Sequence, residues 1–90
     1  MIVNYPEVAV KEIIDEVLNS FSLKTPGTCQ CERCRNDIMA LALNNLPAKY
    51  VVTEQGHIYT KAVYDQIGGK AQVIAAIASA IQKVHKNPRH

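Results

Sequence analysis

Cys29, Cys31 and Cys34, in the run CQCERCRND, are all the cysteines of a 90-residue chain. Soft donors this closely spaced constrain the fold more than any other feature of the sequence. They must either pack as reduced thiols or converge on a metal ion. Their neighbours Gln30, Glu32, Arg33 and Arg35 are polar, which suits burial poorly and favours the metal. A loop entering a helix can wrap one ion, because a turn brings alternate and i+3 side chains to one point. The pattern therefore predicts a C-x-C-x-x-C site for Zn²⁺, which accepts tetrahedral S₃N or S₄ shells.

The length makes such a staple useful. A chain of this size removes only about 60–65% of its unfolded surface from water, and small domains often add a metal, disulfides or a partner subunit. At 48% hydrophobic and 20% charged, the composition argues against a disordered chain. The formal net charge of +2 is weak and its lysines and arginines are scattered, which disfavours a nucleic-acid polymer as partner. MIVNYPEVAV lacks the basic-then-apolar layout of a secretory signal, and the longest apolar run, residues 38–43, is too short to cross a bilayer. These features predict one domain over residues 1–90, cytoplasmic and without a membrane partner. In a reducing compartment, clustered thiols serve as metal ligands rather than as a disulfide framework.

Hydrophobic spacing predicts a mainly α fold: a small helical domain with a short extended or hairpin element and a structural zinc site. Pro6 suits a first helical residue, and Val10, Ile13, Ile14, Val17, Leu18 and Phe21 recur at the helical period. Pro26 and Gly27 end that helix. A second helix runs from Glu32 to about Asn45, with an IMALAL centre apolar nearly all round that predicts the buried middle of the fold. Residues 50–53 and 58–60 favour extended structure, with a Gln-Gly turn between them. Thr60 caps a brief helix over 61–67, which Gly68 and Gly69 close. A last helix spans roughly 70–85, with Ile74, Ile77, Ile81 and Val84 as its stripe and Ala75, Ala76 and Ala80 keeping other faces slim enough for close helix approach, within the monomer or across a dimer axis.

Three thiols leave a tetrahedral shell one ligand short. His57 reads as a solvated turn residue. His90 ranks first for the fourth position, since a metal–imidazole bond would hold a chain end that otherwise frays, and His85 ranks second. A thiolate-rich shell blunts Lewis acidity, so the zinc reads as structural and no residue is assigned a catalytic role.

The stretch CQCERCRNDIMALALNNLPAKYVVTEQGHIYTKA resembles the late competence development protein ComFB family. In that family a C-x-C-x-x-C cluster runs into D-[IV]-x-A-L-[AS]-L-N, then L-P-x-x-Y-V-x-T, then Y-T-K. Here the pattern is carried by Cys29, Cys31, Cys34, Asp37, Ala40, Leu41, Leu43, Asn44, Leu46, Pro47, Tyr50, Val51, Thr53, Tyr59, Thr60 and Lys61. The resemblance implies a helical homodimer with one structural zinc per subunit and a bacterial, cytoplasmic regulatory role rather than an enzyme. It also implies recognition of a cyclic dinucleotide, c-di-GMP or c-di-AMP, linked to competence, motility and pilus behaviour through a downstream protein partner. A family member with a fourth cysteine closes its zinc shell with sulfur. This chain departs from it with only three.

Such a ligand needs cations for its phosphates and flat side chains for its bases. Lys49, Tyr50, Thr53, Tyr59 and Lys61 offer both in a compact run, joined by Arg33 and Arg35 if the zinc loop packs nearby. The bland account of the same residues is half-buried tyrosines and solvated lysines. The competing function is a zinc-stapled protein–protein interaction module with no nucleotide ligand.

Overall fold

The computed structural model describes residues 2–52, 62 and 68–87. Among them, helix α1 runs over Tyr5–Lys24, α2 over Glu32–Asn44 and α3 over Gly69–Lys86, with short strands β1 at Ile2–Asn4 and β2 at Tyr50–Val52. Pro6 stands in the first turn of α1, where a missing N–H leaves no bond unmade, and Glu7 meets the positive end of the helix. Lys11 reaches back one turn to Glu7 at 3.2 Å on the exposed face. At the start of α3, Gly68 takes the left-handed conformation, φ 80°, that a side chain would resist.

Val10, Ile14 and Leu18 on α1, Ile38 on α2, and Val73, Ile77 and Ile81 on α3 close into one core. α3 is the common wall: it packs extensively against both other helices, which touch each other less. Two details differ from the sequence expectation. The buried stripe of α3 begins at Val73, fully buried, while Ile74 is 39% exposed. Steps from either residue to Ile77 satisfy a helical period, so spacing alone does not separate them. α2 is also more one-sided than its IMALAL centre suggests: Ile38 and Ala42 are buried, Met39, Leu41 and Leu43 half-buried, and Ala40 exposed.

The extended segment beginning at Tyr50 forms as expected, but the strand described opposite it is β1, antiparallel, with Val3 opposite Val51. Nothing local in the sequence announces pairing between residues so far apart. The junction is clasped further by the Lys49 N–H, which donates to Asn4 Oδ1 at 2.8 Å, and by the Tyr5 N–H, which donates to the Lys49 carbonyl at 2.7 Å. The expected strand over 58–60 lies outside the described residues, as does the brief helix over 61–67 apart from Ala62.

Complete burial of a residue like Ile77 is worth about 1.5–3 kcal/mol, and truncating it adds the cost of a cavity. Ile77→Ala is expected to lower unfolding stability by about 2–5 kcal/mol, against less than about 1 kcal/mol for Ile74→Ala. Denaturant melts of the two variants check this. Equal losses would contradict the stripe described.

Candidate metal centre

The loop from α1 to α2 is shaped before it reaches its first cysteine. The Thr25 N–H donates to the Phe21 carbonyl at 2.9 Å, closing α1. Gly27, at φ 88°, turns the chain, and the Thr28 hydroxyl donates to the Thr25 carbonyl at 2.6 Å. Gln30 Nε2 then donates to Ser22 Oγ at 3.2 Å, holding the loop on the last turns of α1. Cys31 is the N-cap of α2: its backbone is extended and its Sγ accepts from the Cys34 N–H at 3.4 Å. That bond satisfies one of the donors a helix start leaves open. From the α2 side, Arg35 Nη2 meets Asp15 Oδ1 of α1 at 2.9 Å.

The three sulfurs gather within 4.8 Å of one another. Their environments are graded: Cys31 is exposed, Cys29 half-buried and Cys34 completely buried. The Cys34 N–H holds the Cys31 thiol below its ordinary pKa, and the Cys29 thiol adds to that. Burial pushes Cys34 up to about 12, with the Cys29 and Cys31 thiols acting in the same direction. Three thiolates this close repel one another unless a cation lies between them.

The donor set fits a soft divalent ion. Zn–S bonds of about 2.3 Å around a tetrahedral centre place sulfurs roughly 3.8 Å apart, a modest contraction from the arrangement here. Cys29, Cys31 and Cys34 can therefore hold a metal ion, with one position left for a further ligand. Of the two histidines expected there, His90 lies outside the described residues, as does His57. His85 is half-buried in the last turn of α3, its ring edge-on to Phe21 with centroids 6.0 Å apart. It shares with Cys29, Gly27, Thr28, Ile38, Ile81 and Val84 the lining of a cavity of about 140 Å³. Among the described residues the mutual donor group is the three thiols, without His85.

Of the residues expected to meet a nucleotide, the described pair lies away from the thiols. Lys49 and Tyr50 are exposed, at and just before β2, while Thr53, Tyr59 and Lys61 lie outside the described residues. The whole of α2, roughly 20 Å long, separates the thiols from the segment that leads to Lys49. Arg33 and Arg35 belong to the thiol end, so they do not join the Lys49–Tyr50 region. Sequence reasoning also missed the side chains that brace the loop. Asp15 and Ser22 sit on the polar side of α1, where their partners Arg35 and Gln30 leave no periodic trace.

The profile of the family described as late competence development protein ComFB matches residues 3–88. Competence protein ComFB of Bacillus subtilis (strain 168) is 28% identical over 88 residues, spanning 98% of this chain and 86% of that protein. The solved structure of the late competence protein ComFB from Bacillus subtilis superposes with a TM-score of 0.83 at 28% identity, covering 98% of this chain and 92% of the other. No helix among the described residues is long and apolar enough to cross a membrane.

Metal binding must expel any thiol proton still present. Because Cys34 is pushed up to about 12, its proton is in place at neutral pH without metal and has to leave. Lower pH therefore opposes binding and higher pH favours it. Zinc affinity is expected to rise by about tenfold per pH unit, or more, between about pH 6 and 8, and Cys34→Ser to abolish tight binding. Competition against a chromogenic chelator measures both. A flat pH profile would contradict thiol ligation.

Proposed function

This chain belongs to the late competence development protein ComFB family, and we propose that it acts as a zinc-stapled regulatory homodimer of bacterial competence that recognises a cyclic dinucleotide. The observation that carries the recognition half is the pairing of a cation with an aromatic ring on a clamped backbone. Tyr50 is 68% exposed, and Lys49 beside it is exposed while its own N–H and C=O are both fixed by Asn4 and Tyr5. A ring presented this way offers a base a stacking surface with little ordering cost, and a neighbouring ammonium suits a phosphate. Ile2 and Val52 are exposed across the same strand pair. A second copy seated there would bring two Tyr50–Lys49 pairs together, which suits a ligand with its own two-fold symmetry.

The metal serves architecture in this reading. Zn²⁺ held by Cys29, Cys31 and Cys34 would fix the start of α2, and with it the frame on which the extended element is mounted. A histidine would complete the shell. His90 is the first candidate for that place, with His85, which lines a cavity with Cys29 but stands outside the mutual donor group, as the alternative. The output is a signal passed to a protein partner in the cytoplasm, not turnover of a substrate.

Isothermal calorimetry of the zinc-loaded protein with c-di-GMP and c-di-AMP tests the recognition. One of them is expected to bind, with Tyr50→Ala weakening it by about tenfold or more through loss of stacking. A folded, zinc-loaded protein that binds neither would overturn the receptor reading and leave an interaction module in its place. For the shell, His90→Ala is expected to lower zinc affinity by about tenfold or more, with His85→Ala near wild type. The reverse order would assign the position to His85.

A further inference from the structure

Cys31 and Cys34 stand in the relation of an exposed attacking sulfur and a buried partner one helical turn away. Cys31 caps α2 and faces solvent, whereas Cys34 lies in the same first turn and is completely buried. Residues spaced i,i+3 in a helical turn have Cα atoms about 5 Å apart, inside the range a disulfide spans without strain. Their sulfurs already lie within 4.8 Å, so rotation of the exposed Cys31 side chain has only a short gap to close toward Cys34. Cys29 is close enough to share a metal but sits on the loop outside the helix, half-buried against the core.

We infer that Cys31 and Cys34 are an oxidisable dithiol, joined by a small hydroperoxide into a disulfide that dismantles the three-sulfur site. The disulfide follows from geometry alone, while the loss of metal rests on the zinc reading above. In the first step the Cys31 sulfur attacks a peroxide oxygen and the O–O bond breaks. Sulfur keeps that oxygen as a sulfenic acid, and the other oxygen leaves and takes up a proton as water or an alcohol. The Cys34 sulfur then attacks Cys31, an S–S bond forms, and the S–O bond breaks to release a second oxygen as water. Each sulfur gives up one electron and the peroxide takes both, so the metal's charge is unchanged. A disulfide removes two anionic donors at once. Cys29 alone is too weak a ligand to retain the ion.

The test uses the protein as purified, treated with hydrogen peroxide, blocked with an alkylating reagent and digested with trypsin. Cleavage after Arg33 separates Cys34 from Cys29 and Cys31, so a bridge to Cys34 appears as two joined peptides, and fragmentation that places the alkyl group on Cys29 identifies Cys31 as its partner. The expected result is that linkage, one alkylated cysteine, zinc release in step with it, and return of both thiols with dithiothreitol. Cys29→Ser should keep the linkage. Cys31→Ser should lose it and slow thiol consumption by about tenfold or more, since the exposed sulfur is gone. Higher acids without a disulfide, a bridge that requires Cys29, or zinc retained by the bridged protein would each overturn the inference. Metal-free protein that still forms the bridge would support it while sinking the zinc reading.

Discussion

One side chain belongs to two structures at once. Cys34 is completely buried among the core residues of all three helices, and its sulfur is also a member of the thiol cluster. An interior packed at crystal-like density does not let a side chain of that kind drift, so the cluster inherits the rigidity of the core. The reverse dependence follows. A buried thiol with its pKa pushed up to about 12 is stable there as a neutral group, and it becomes an anion at neutral pH only with a cation to share the charge. Packing and any ligation are therefore coupled at this position.

The three helices carry that constraint to a second location. α1 and α2 are joined by the cysteine loop at one end, and at the other the start of α1 is hydrogen-bonded to Lys49, which follows α2. α3 lies against both, with His85 of its last turn lining one cavity with Cys29. The molecule thus has a thiol end and an extended end, spanned by the same α2. Asp15–Arg35 and Ser22–Gln30 hold the first in place, and the Asn4–Tyr5–Lys49 clasp holds the second. A helix between two tied ends couples the thiol end to the extended end.

How much of this was legible in the sequence depends on the range of each interaction. The helices were readable because apolar residues repeat every three or four positions and Pro6, Pro26 and Gly27 punctuate them. The thiol cluster was readable because all its donors lie within six positions. The β1–β2 pair was not, since Ile2–Asn4 is too short to show a period and its partner is far along the chain. Nor was the difference between Val73 and Ile74, which depends on how α3 is rotated against its neighbours. The bracing pairs from α1 to the loop were hidden for the same reason: a polar residue on a polar face looks solvated until the opposing surface is known.

A final consequence concerns charge. Three thiolates bring one more negative charge than a divalent ion cancels, so an S₃N shell with neutral imidazole would be an anion held partly out of water. The fold meets that requirement with the start of α2, where the helix dipole favours negative charge and the Cys34 N–H already points at the Cys31 sulfur. A fourth thiolate would double the uncompensated charge at the same place. The missing fourth cysteine therefore lightens the load on this helix terminus, and a neutral nitrogen ligand is the electrostatically easier completion of the site.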